Sequence, residues 1–334
     1  MINKKTNFVA CGSTTPIKKI ISFPYQTVHS ARVLLYKLLG LYHKNKLPVP
    51  VISIGNISFG GTGKTPITIE IAKYFAVNGY KVTVLTRGYK AKNLGDMPLL
   101  IDSKEQNINR YTAVDIGDEP CEMLEVFANS PGNLSLAIGK NRYDSGLAAI
   151  NKFGTNLFIL DDGLQHISLD RNLDIVLKNI NEKGFYREFA CAEKNADYLI
   201  YTKVTDEWLE KNHDRISAKF NLSLTKTIDS NKQIGIFTGI ADSETLMQMV
   251  VDKLKKDRMQ IDKNQIKTWF FPDHHQFHLD EVTRVLSLGI NLITTRKDLA
   301  RIPEELKSEF IVAELELDFH PKDFLETLLK KIRN

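Results

Sequence analysis

The hydrophobic residues near the start of the chain change from a helical to a strand-like spacing. Between positions 26 and 43 they recur at steps of three and four, which predicts an amphipathic helix with several basic side chains. Such a helix packs on the protein's own core or lies on an anionic membrane surface, and the pattern leaves both open. Pro48-Val49-Pro50 ends the helical pattern, and the β-branched run at 51–54 predicts a buried strand. Residues 1–16 have no periodicity and predict a flexible tail.

The rest of the chain alternates between strand-like and helix-like segments. After a Gly-rich turn, a helix is expected over about 66–77 and a strand over 81–86, and this order forms a βαβ unit that implies a parallel sheet. The polar stretch 221–233 is poor in large apolar residues and predicts a domain boundary. Further strands are expected at 134–138, 156–160, 174–177, 198–201, 234–239, 269–271 and 291–295, and further helices at 143–152, 243–256 and from about 280.

Composition and charge exclude several classes of protein. The chain has 334 residues, 43% hydrophobic and 25% charged, which is typical of a globular protein of about two domains. Its net charge of +5 is too small to indicate nucleic-acid binding, but residues 1–69 contain nine Lys and Arg and no Asp or Glu. Three widely spaced cysteines without metal-ligand spacing favour a reducing, cytosolic setting. No apolar run is long enough to span a membrane or to act as a signal peptide.

The residues after the first predicted strand have the composition of a phosphate-binding loop. In Ser58-Phe59-Gly60-Gly61-Thr62-Gly63-Lys64-Thr65, glycines let backbone N–H groups converge on phosphate oxygens, the lysine reaches the β- and γ-phosphates, and the threonine hydroxyl binds Mg²⁺. Ser58 stands where the usual motif has its first glycine. The strand before the loop and the helix after it supply the expected context, because a helix N-terminus favours anions. The sequence therefore predicts an α/β fold with a P-loop NTPase-type parallel-sheet domain.

Two other classes of P-loop protein fit less well. GTPases read guanine with Asn-Lys-x-Asp, and the nearest segments, Thr202-Lys203-Val204-Thr205 and Thr295-Arg296-Lys297-Asp298, each lack part of that pattern. Partitioning-type ATPases carry a lysine before the paired glycines, where this chain has Phe59. A membrane-associated ATPase switch of the partitioning type stays the alternative function, and a binding-only module is a third.

A set of short motifs in a fixed order narrows the class further. They are Gly55-Asn56-Ile57 before the loop and Pro66 after it, Thr86-Arg87-Gly88-Tyr89, Gly117-Asp118-Glu119-Pro120, Asp161-Asp162-Gly163-Leu164-Gln165-His166, and Phe271-Pro272-Asp273-His274-His275. This set closely resembles the tetraacyldisaccharide 4′-kinase family, the lipid A kinases of Gram-negative bacteria. The resemblance extends from about Pro24 to near the C-terminus.

The resemblance implies an activity and a location. The family phosphorylates the 4′-hydroxyl of tetraacyldisaccharide 1-phosphate to give lipid IVA, with ATP and Mg²⁺ as cofactors, at the cytoplasmic face of the inner membrane. The implied partners are the lipid A disaccharide precursor and the anionic membrane surface, with no nucleic acid and no obligate protein partner. The implied domains are a tail over 1–16, a basic amphipathic membrane-associating region over 17–46, a P-loop kinase core over 47–225, and a smaller α/β domain over 232–334 that closes the active-site cleft.

The resemblance also implies roles for particular residues. Asp118 is the catalytic base on the sugar hydroxyl, and His274 is its partner in a dyad. The nucleotide site comprises Ser58, Phe59, Gly60, Gly61, Thr62, Gly63, Lys64, Thr65, Gln165 and His166. The magnesium ligands are drawn from Thr65, Glu119, Asp161 and Asp162, and the acceptor contacts are Arg87, Tyr89 and Arg142.

The sequence departs from the family pattern at four places, and the changes at Arg296 and Lys178 affect what the resemblance implies for the second domain and the acceptor side. Lys90 replaces the last glycine of Arg-Gly-Tyr-Gly, Arg296 replaces the glutamate of Thr-Glu-Lys-Asp, and Lys178 stands where a strand usually ends in aspartate. The Pro-rich approach to Gly184 is missing. None of these changes removes an implied catalytic group.

Overall fold

The computed structural model describes residues 44–57, 62–89, 91, 95, 97–181, 193, 195–240, 243–259, 263–272 and 275–333. The predicted tail, nearly all of the basic region 17–46, the first half of the phosphate-binding loop and His274 therefore lie outside the described residues. Lys90 and Gly184 lie outside them as well.

The described part of the chain forms twelve strands, which are named here in chain order. They are β1 Val51–Asn56, β2 Lys81–Thr86, β3 Leu99–Asp102, β4 Asn133–Ile138, β5 Leu157–Asp161, β6 Leu173–Asn179, β7 Tyr198–Thr202, β8 Ser217–Leu224, β9 Ile234–Thr238, β10 Lys267–Phe270, β11 Asn291–Thr295 and β12 Ile311–His320.

Nine α-helices connect these strands within the same described residues. They are α1 Lys64–Val77, α2 Ala113–Ile116, α3 Asp118–Ala128, α4 Arg142–Phe153, α5 Asp206–Lys211, α6 Ser243–Lys256, α7 Leu279–Leu286, α8 Arg296–Leu299 and α9 Phe324–Arg333. Short 3-10 helices lie at Ile108–Arg110, Lys263–Gln265 and Glu304–Glu309.

All twelve strands belong to one sheet with the order β10-β9-β11-β12-β8-β7-β6-β1-β5-β2-β4-β3. The seven strands from β8 to β4 are mutually parallel, and we call them the first strand set, with β3 added antiparallel at the edge. The four strands β12, β11, β9 and β10 are also mutually parallel, and we call them the second strand set. The two sets meet where β12 pairs antiparallel with β8.

The β8–β12 pair makes the carboxyl ends of both sets point toward each other. The last residues of β7 pair with Ser217 and Ala218 at the start of β8, whereas the last residues of β11 pair with the start of β12. In the antiparallel register, Ser217 lies opposite His320 and Leu224 lies opposite Ala313. Strands β7 and β11 therefore pair at opposite ends of the two-stranded β8–β12 ribbon. Since ligands of open α/β sheets bind beyond the carboxyl ends of the strands, one region between the sets can receive side chains from both.

Helices cover both faces of each strand set. On the first set, α1, α3 and α9 pack over a cluster that includes Phe75, Phe127 and Phe324, and α4 covers the opposite face around Phe158. On the second set, α6 covers one face, and α7 covers the face around Phe237. Strands β1 and β5 are buried along their whole length. Their burial on both faces explains why their sequences are mostly apolar rather than alternating.

Several elements end where the sequence predicts and others differ. Strands β2 and β11 and helix α6 have the predicted bounds, and α1 starts two residues before the predicted position. The strand expected at 269–271 is β10, which spans Lys267–Phe270. The polar stretch 221–233 begins inside β8, because a strand in a half-exposed ribbon does not need large apolar residues. The division into domains 47–225 and 232–334 stays a prediction, and α9 packs on the core of the first set.

Candidate active site

The second half of the phosphate-binding loop leads directly into α1. Gly63 has φ 79°, in the left-handed region, and a Cβ there would lie 2.3 Å from the ring of Phe220. Glycine is therefore required for two independent reasons, backbone conformation and space. Lys64 and Thr65 then form the first residues of the helix, and the hydroxyl of Thr62 is buried with no hydrogen-bond partner. This geometry matches the predicted loop from Thr62 to Thr65, while Ser58, Phe59, Gly60 and Gly61 lie outside the described residues.

The ammonium group of Lys64 connects the loop to two neighbouring strands. Its Nζ donates to Oδ1 of Asp162 at 2.6 Å and to Oδ1 of Asn56 at 3.1 Å. Asn56 is the last residue of β1, and Asp162 follows β5 with φ 50°. A lysine held this way places a positive charge at the carboxyl edge of the first set, beside the N-terminus of α1. The sequence assigned no separate role to Asn56, although it stands in the Gly55-Asn56-Ile57 motif.

Asp161 is the last residue of β5 and is only 3% exposed. Its Oδ2 accepts a hydrogen bond of 3.4 Å from Thr86, and its Oδ1 has no partner. Burial and the neighbouring carboxylate of Glu119 raise the pKa of Asp161 to about 7, although Lys64 opposes the shift. A buried carboxylate with an unsatisfied oxygen is costly unless a cation approaches it.

Asp118 and Glu119 form the first turn of α3, where the helix dipole favours acidic side chains. The preceding Gly117 has φ 94°, and a Cβ there would lie 2.8 Å from the carbonyl oxygen of Tyr89. The start of α3 is therefore in direct contact with the loop after β2. Because Glu119 acts on the pKa of Asp161, the structure brings Glu119 to the same edge as Asp161 and Asp162.

A group of basic side chains lies at the same edge. Arg142 is only 5% exposed, and its guanidinium donates to the carbonyls of Gly139 and Lys140 and has an Nε with no partner. Burial lowers the pKa of Arg142 to about 10, with the nearby Asp161 opposing the shift and Arg87 adding to it. The predicted acceptor contacts Arg87 and Arg142 thus lie near one another, and Tyr89 is 69% exposed.

Gln165 and His166 lie in the loop that follows β5. The amide of Gln165 donates to the carbonyl of Asn56 at 3.3 Å, and its Oε1 is buried without a partner. Burial and nearby arginines lower the pKa of His166 to about 4, so its ring is neutral at pH 7. Arg171, which the sequence did not single out, donates to the carbonyl of Gly163 at 2.9 Å and holds this loop in place.

The second strand set contributes a buried ion pair that sequence reasoning missed. Asp298 and Arg301 are both fully buried, and their side chains are joined by a 2.7 Å hydrogen bond. Asp298 also accepts from the backbone N–H of Gly239, and Arg301 donates to the carbonyl of His275 at 3.1 Å. The ion pair therefore connects the loop after β9 to the loop after β10. In the sequence, the second of these loops contains the predicted dyad residue His274.

Among the described residues, no group of three or more His, Cys, Asp or Glu side chains is arranged as a complete metal cage. Mg²⁺ is commonly held by one or two carboxylates together with substrate phosphates, so a complete cage is not required. The unsatisfied oxygen of Asp161 and the buried hydroxyl of Thr65 fit such a partial site. No helix in the described part of the chain has the length and hydropathy to cross a membrane.

Comparisons with known proteins show which family this chain resembles. Residues 15–333 match the sequence model of the family described as tetraacyldisaccharide-1-P 4′-kinase. A tetraacyldisaccharide 4′-kinase from Geobacter metallireducens is 30% identical, over 94% of this chain and 96% of its own length. One from Geobacter sulfurreducens is 31% identical, over 92% of this chain and 90% of its own length. The crystal structure of LpxK from Aquifex aeolicus in complex with ATP has 26% identity and a TM-score of 0.70, covering 94% of this chain and 97% of that one.

Proposed function

The chain belongs to the tetraacyldisaccharide 4′-kinase family and is an ATP-dependent kinase of lipid A biosynthesis, and from this premise we propose how its residues carry out the transfer. The observation that carries the proposal is the meeting of Lys64, Asp161, Asp162 and Glu119 at the carboxyl edge of the first strand set. The reaction moves the γ-phosphoryl group of ATP onto the 4′-hydroxyl of tetraacyldisaccharide 1-phosphate. Catalysis of such a transfer is mostly positioning and charge stabilisation.

ATP binds with its phosphates at the N-terminus of α1. The first backbone N–H groups of this helix are suited to bind an anion, and Lys64, its first residue, supplies a charge for the β- and γ-phosphates. The unpartnered Thr62 hydroxyl and the unpartnered Oε1 of Gln165 are polar groups available to the nucleotide. His166, which follows Gln165 in the chain, is partly buried and neutral at pH 7, which suits contact with the base or the sugar.

Mg²⁺ is the proposed metal cofactor, held by Thr65, Asp161, Asp162 and Glu119 together with the phosphates. It would supply charge neutralisation as the phosphoryl group leaves ADP. The fit rests on Asp161, whose buried Oδ1 has no partner and whose pKa is raised first by burial and then by the carboxylates of Glu119 and Asp162. Lys64 and Arg142 balance part of that negative charge.

Asp118 is the proposed base that accepts the proton of the 4′-hydroxyl, with His274 as the partner that orients it. Asp118 lies at the start of α3, one residue before Glu119, so it reaches the same edge as the proposed metal ligands. Arg87, Tyr89 and Arg142 are proposed to hold the acceptor, since guanidinium groups pair with phosphate in a two-pronged geometry. The close approach of Gly117 to the Tyr89 carbonyl supports a position of the proposed base beside the proposed acceptor contacts.

The assay that tests this function supplies labelled ATP with and without tetraacyldisaccharide 1-phosphate. We expect labelled bis-phosphorylated lipid, and ATP turnover that requires the acceptor. An acetyl-protected or deoxy 4′-position on the same disaccharide is the matched control and should receive no label. Nucleotide binding with rapid ATP hydrolysis and no transfer would instead support the ATPase-switch alternative.

The proposed location is the cytoplasmic face of the inner membrane, reached through the basic region 17–46. Because Asn45 and Leu47 pack on the protein, charge reversal is a cleaner test than deletion. Reversing Arg32 and Lys37 to Glu should weaken binding to anionic liposomes without changing ATP affinity. The matched control reverses the exposed Lys255 and Lys256 of α6. Equal binding by both double variants would assign the region to core packing.

A further inference from the structure

One helix face of α3 is acidic and points toward the second strand set. Asp118, Glu122 and Glu125 are spaced four and three residues apart, so they lie along one side of the helix. Arg296 Nη1 lies 3.4 Å from Oε1 of Glu125. The charge of Lys297 acts on the pKa of Glu122, which burial raises to about 7. Two adjacent basic residues of α8 therefore face two acidic residues of α3.

Helix α8 is itself fixed by its other side chains. Thr295 caps its N-terminus and donates its hydroxyl to Asp298 at 2.8 Å, and Asp298 is bonded to Arg301. Arg301 reaches the carbonyls of His275 and Gly239. Residues 295–301 thus contact α3 on one side and the loops after β9 and β10 on the other.

The guanidinium of Arg296 contacts a second acidic side chain besides Glu125. Arg296 also pairs with Glu314 of β12, so its guanidinium joins two glutamates from different elements. A glutamate at position 296 would place a third negative charge between Glu125 and Glu314. Arginine at 296 and the two glutamates therefore complement one another in this chain.

We propose that residues 295–301 are a positioning element for catalysis, in which Arg296 holds α3, and with it Asp118, at a fixed place relative to the loop that contains His275. The proposal rests on the proposed role of Asp118 as base. Arg296, Asp298 and Arg301 touch neither ATP nor the acceptor in this account, and they act through the residues that they hold. Small displacements of a catalytic group have large effects on rate. The partly exposed ion pair between Arg296 and Glu125 therefore affects turnover more than stability.

The test is a charge swap between Arg296 and Glu125. We expect Arg296→Glu to lower kcat of the lipid transfer by about tenfold to a hundredfold, with KM for ATP and the thermal midpoint little changed. The double variant Arg296→Glu with Glu125→Arg should recover most of kcat. Arg284→Glu, which reverses an exposed charge on α7, is the matched control and should leave kcat unchanged.

A second measurement is independent of lipid transfer. Hydrogen exchange of the α3 amides, Asp118–Ala128, should be faster in Arg296→Glu and should return toward wild type in the swapped variant. Unchanged kcat and exchange in Arg296→Glu, or no recovery in the swap, would overturn the positioning role. If wild-type protein transfers no phosphate to the lipid, the proposed function fails, and the exchange measurement still decides whether Arg296 holds α3.

Discussion

Two buried aspartates, one beside each strand set, have opposite surroundings. Asp161 ends β5, with one oxygen weakly bonded to Thr86 and the other without a partner. Asp298 lies three residues after β11, is fully buried, and is bonded to Thr238, Gly239, Thr295 and Arg301. We interpret this difference as that between a carboxylate of a binding site and a carboxylate with a structural role. Both oxygens of Asp298 are hydrogen-bonded within the protein, whereas one oxygen of Asp161 has no partner.

The same contrast extends to the residues around each aspartate. Near Asp161, a loop glycine and Asp162 have positive φ, and the polar atoms of Thr62 and Gln165 lack partners. Such concentrations of backbone strain and unsatisfied polar groups are found at functional sites. Near Asp298, capping and a buried ion pair hold two loops together. We therefore assign chemistry to the edge of the first set and positioning to the edge of the second.

The largest expected effect is on the proposed base. Asp118→Asn should lower kcat for lipid transfer by about 10²- to 10⁴-fold, because proton acceptance from the 4′-hydroxyl is lost. ATP affinity, measured by calorimetry, should stay near that of wild type. The matched control is Asp102→Asn. Asp102 is an exposed residue of β3 that pairs with Ser135 near the start of β4, away from the carboxyl ends of the parallel strands. Near wild-type turnover in Asp118→Asn would remove Asp118 from the mechanism.

The second prediction concerns the different contributions of Asp298 and Asp161 to the free energy of unfolding. Asp298→Asn leaves the buried guanidinium of Arg301 without a counter-charge and should cost about 3–5 kcal/mol of unfolding free energy. Urea denaturation checks this value, with Asp214→Asn, at an exposed position outside the helices, as a control that should change stability by less than about 0.5 kcal/mol. Asp161→Asn should not destabilise the protein in the absence of Mg²⁺ and nucleotide, because it removes an unsatisfied charge. Equal losses in Asp161→Asn and Asp298→Asn would contradict the comparison.

A smaller effect is the pH dependence that Asp161 produces. Its folded-state pKa of about 7 exceeds the ordinary value of 3.8, so the unfolded state releases the proton first as pH rises. Stability without Mg²⁺ and nucleotide should therefore fall between about pH 4 and pH 7, by up to about 4 kcal/mol, and should be constant above that range. Urea denaturation of wild type and Asp161→Asn from pH 5 to pH 8, in a chelator, measures the difference. A difference that is constant across this range would mean that Asp161 ionises normally.

Much of the fold can be predicted from periodicity because the buried strands and amphipathic helices carry strong patterns. The bounds of β2 follow from a run rich in valine and threonine, and those of α6 from a helical apolar stripe that ends in lysines. The β8–β12 ribbon could not be predicted in the same way. Its strands are only partly buried, and the pairing joins residues that are about 90 to 100 positions apart in the chain.

The candidate site shows the same limit. The phosphate-binding loop and the acidic motifs are local signals, so Lys64, Asp161 and Asp118 can be selected from the sequence. Their meeting at one edge depends on strand order, which one sequence does not specify. In the sequence, Asp298 stands out only as the last residue of Thr295-Arg296-Lys297-Asp298. Nothing in the neighbouring residues indicates that its charge is buried against Arg301.

The most direct test of the central claim measures Mg²⁺-dependent nucleotide binding by wild type, Asp161→Asn and Asp298→Asn. With a non-hydrolysable ATP analogue, calorimetry should show that Mg²⁺ tightens binding by about tenfold or more in wild type and in Asp298→Asn. In Asp161→Asn, the gain from Mg²⁺ should fall to about twofold or less, because the unsatisfied carboxylate is gone. Full Mg²⁺ dependence in Asp161→Asn would contradict the account, since the unsatisfied oxygen would then have no part in binding the cation.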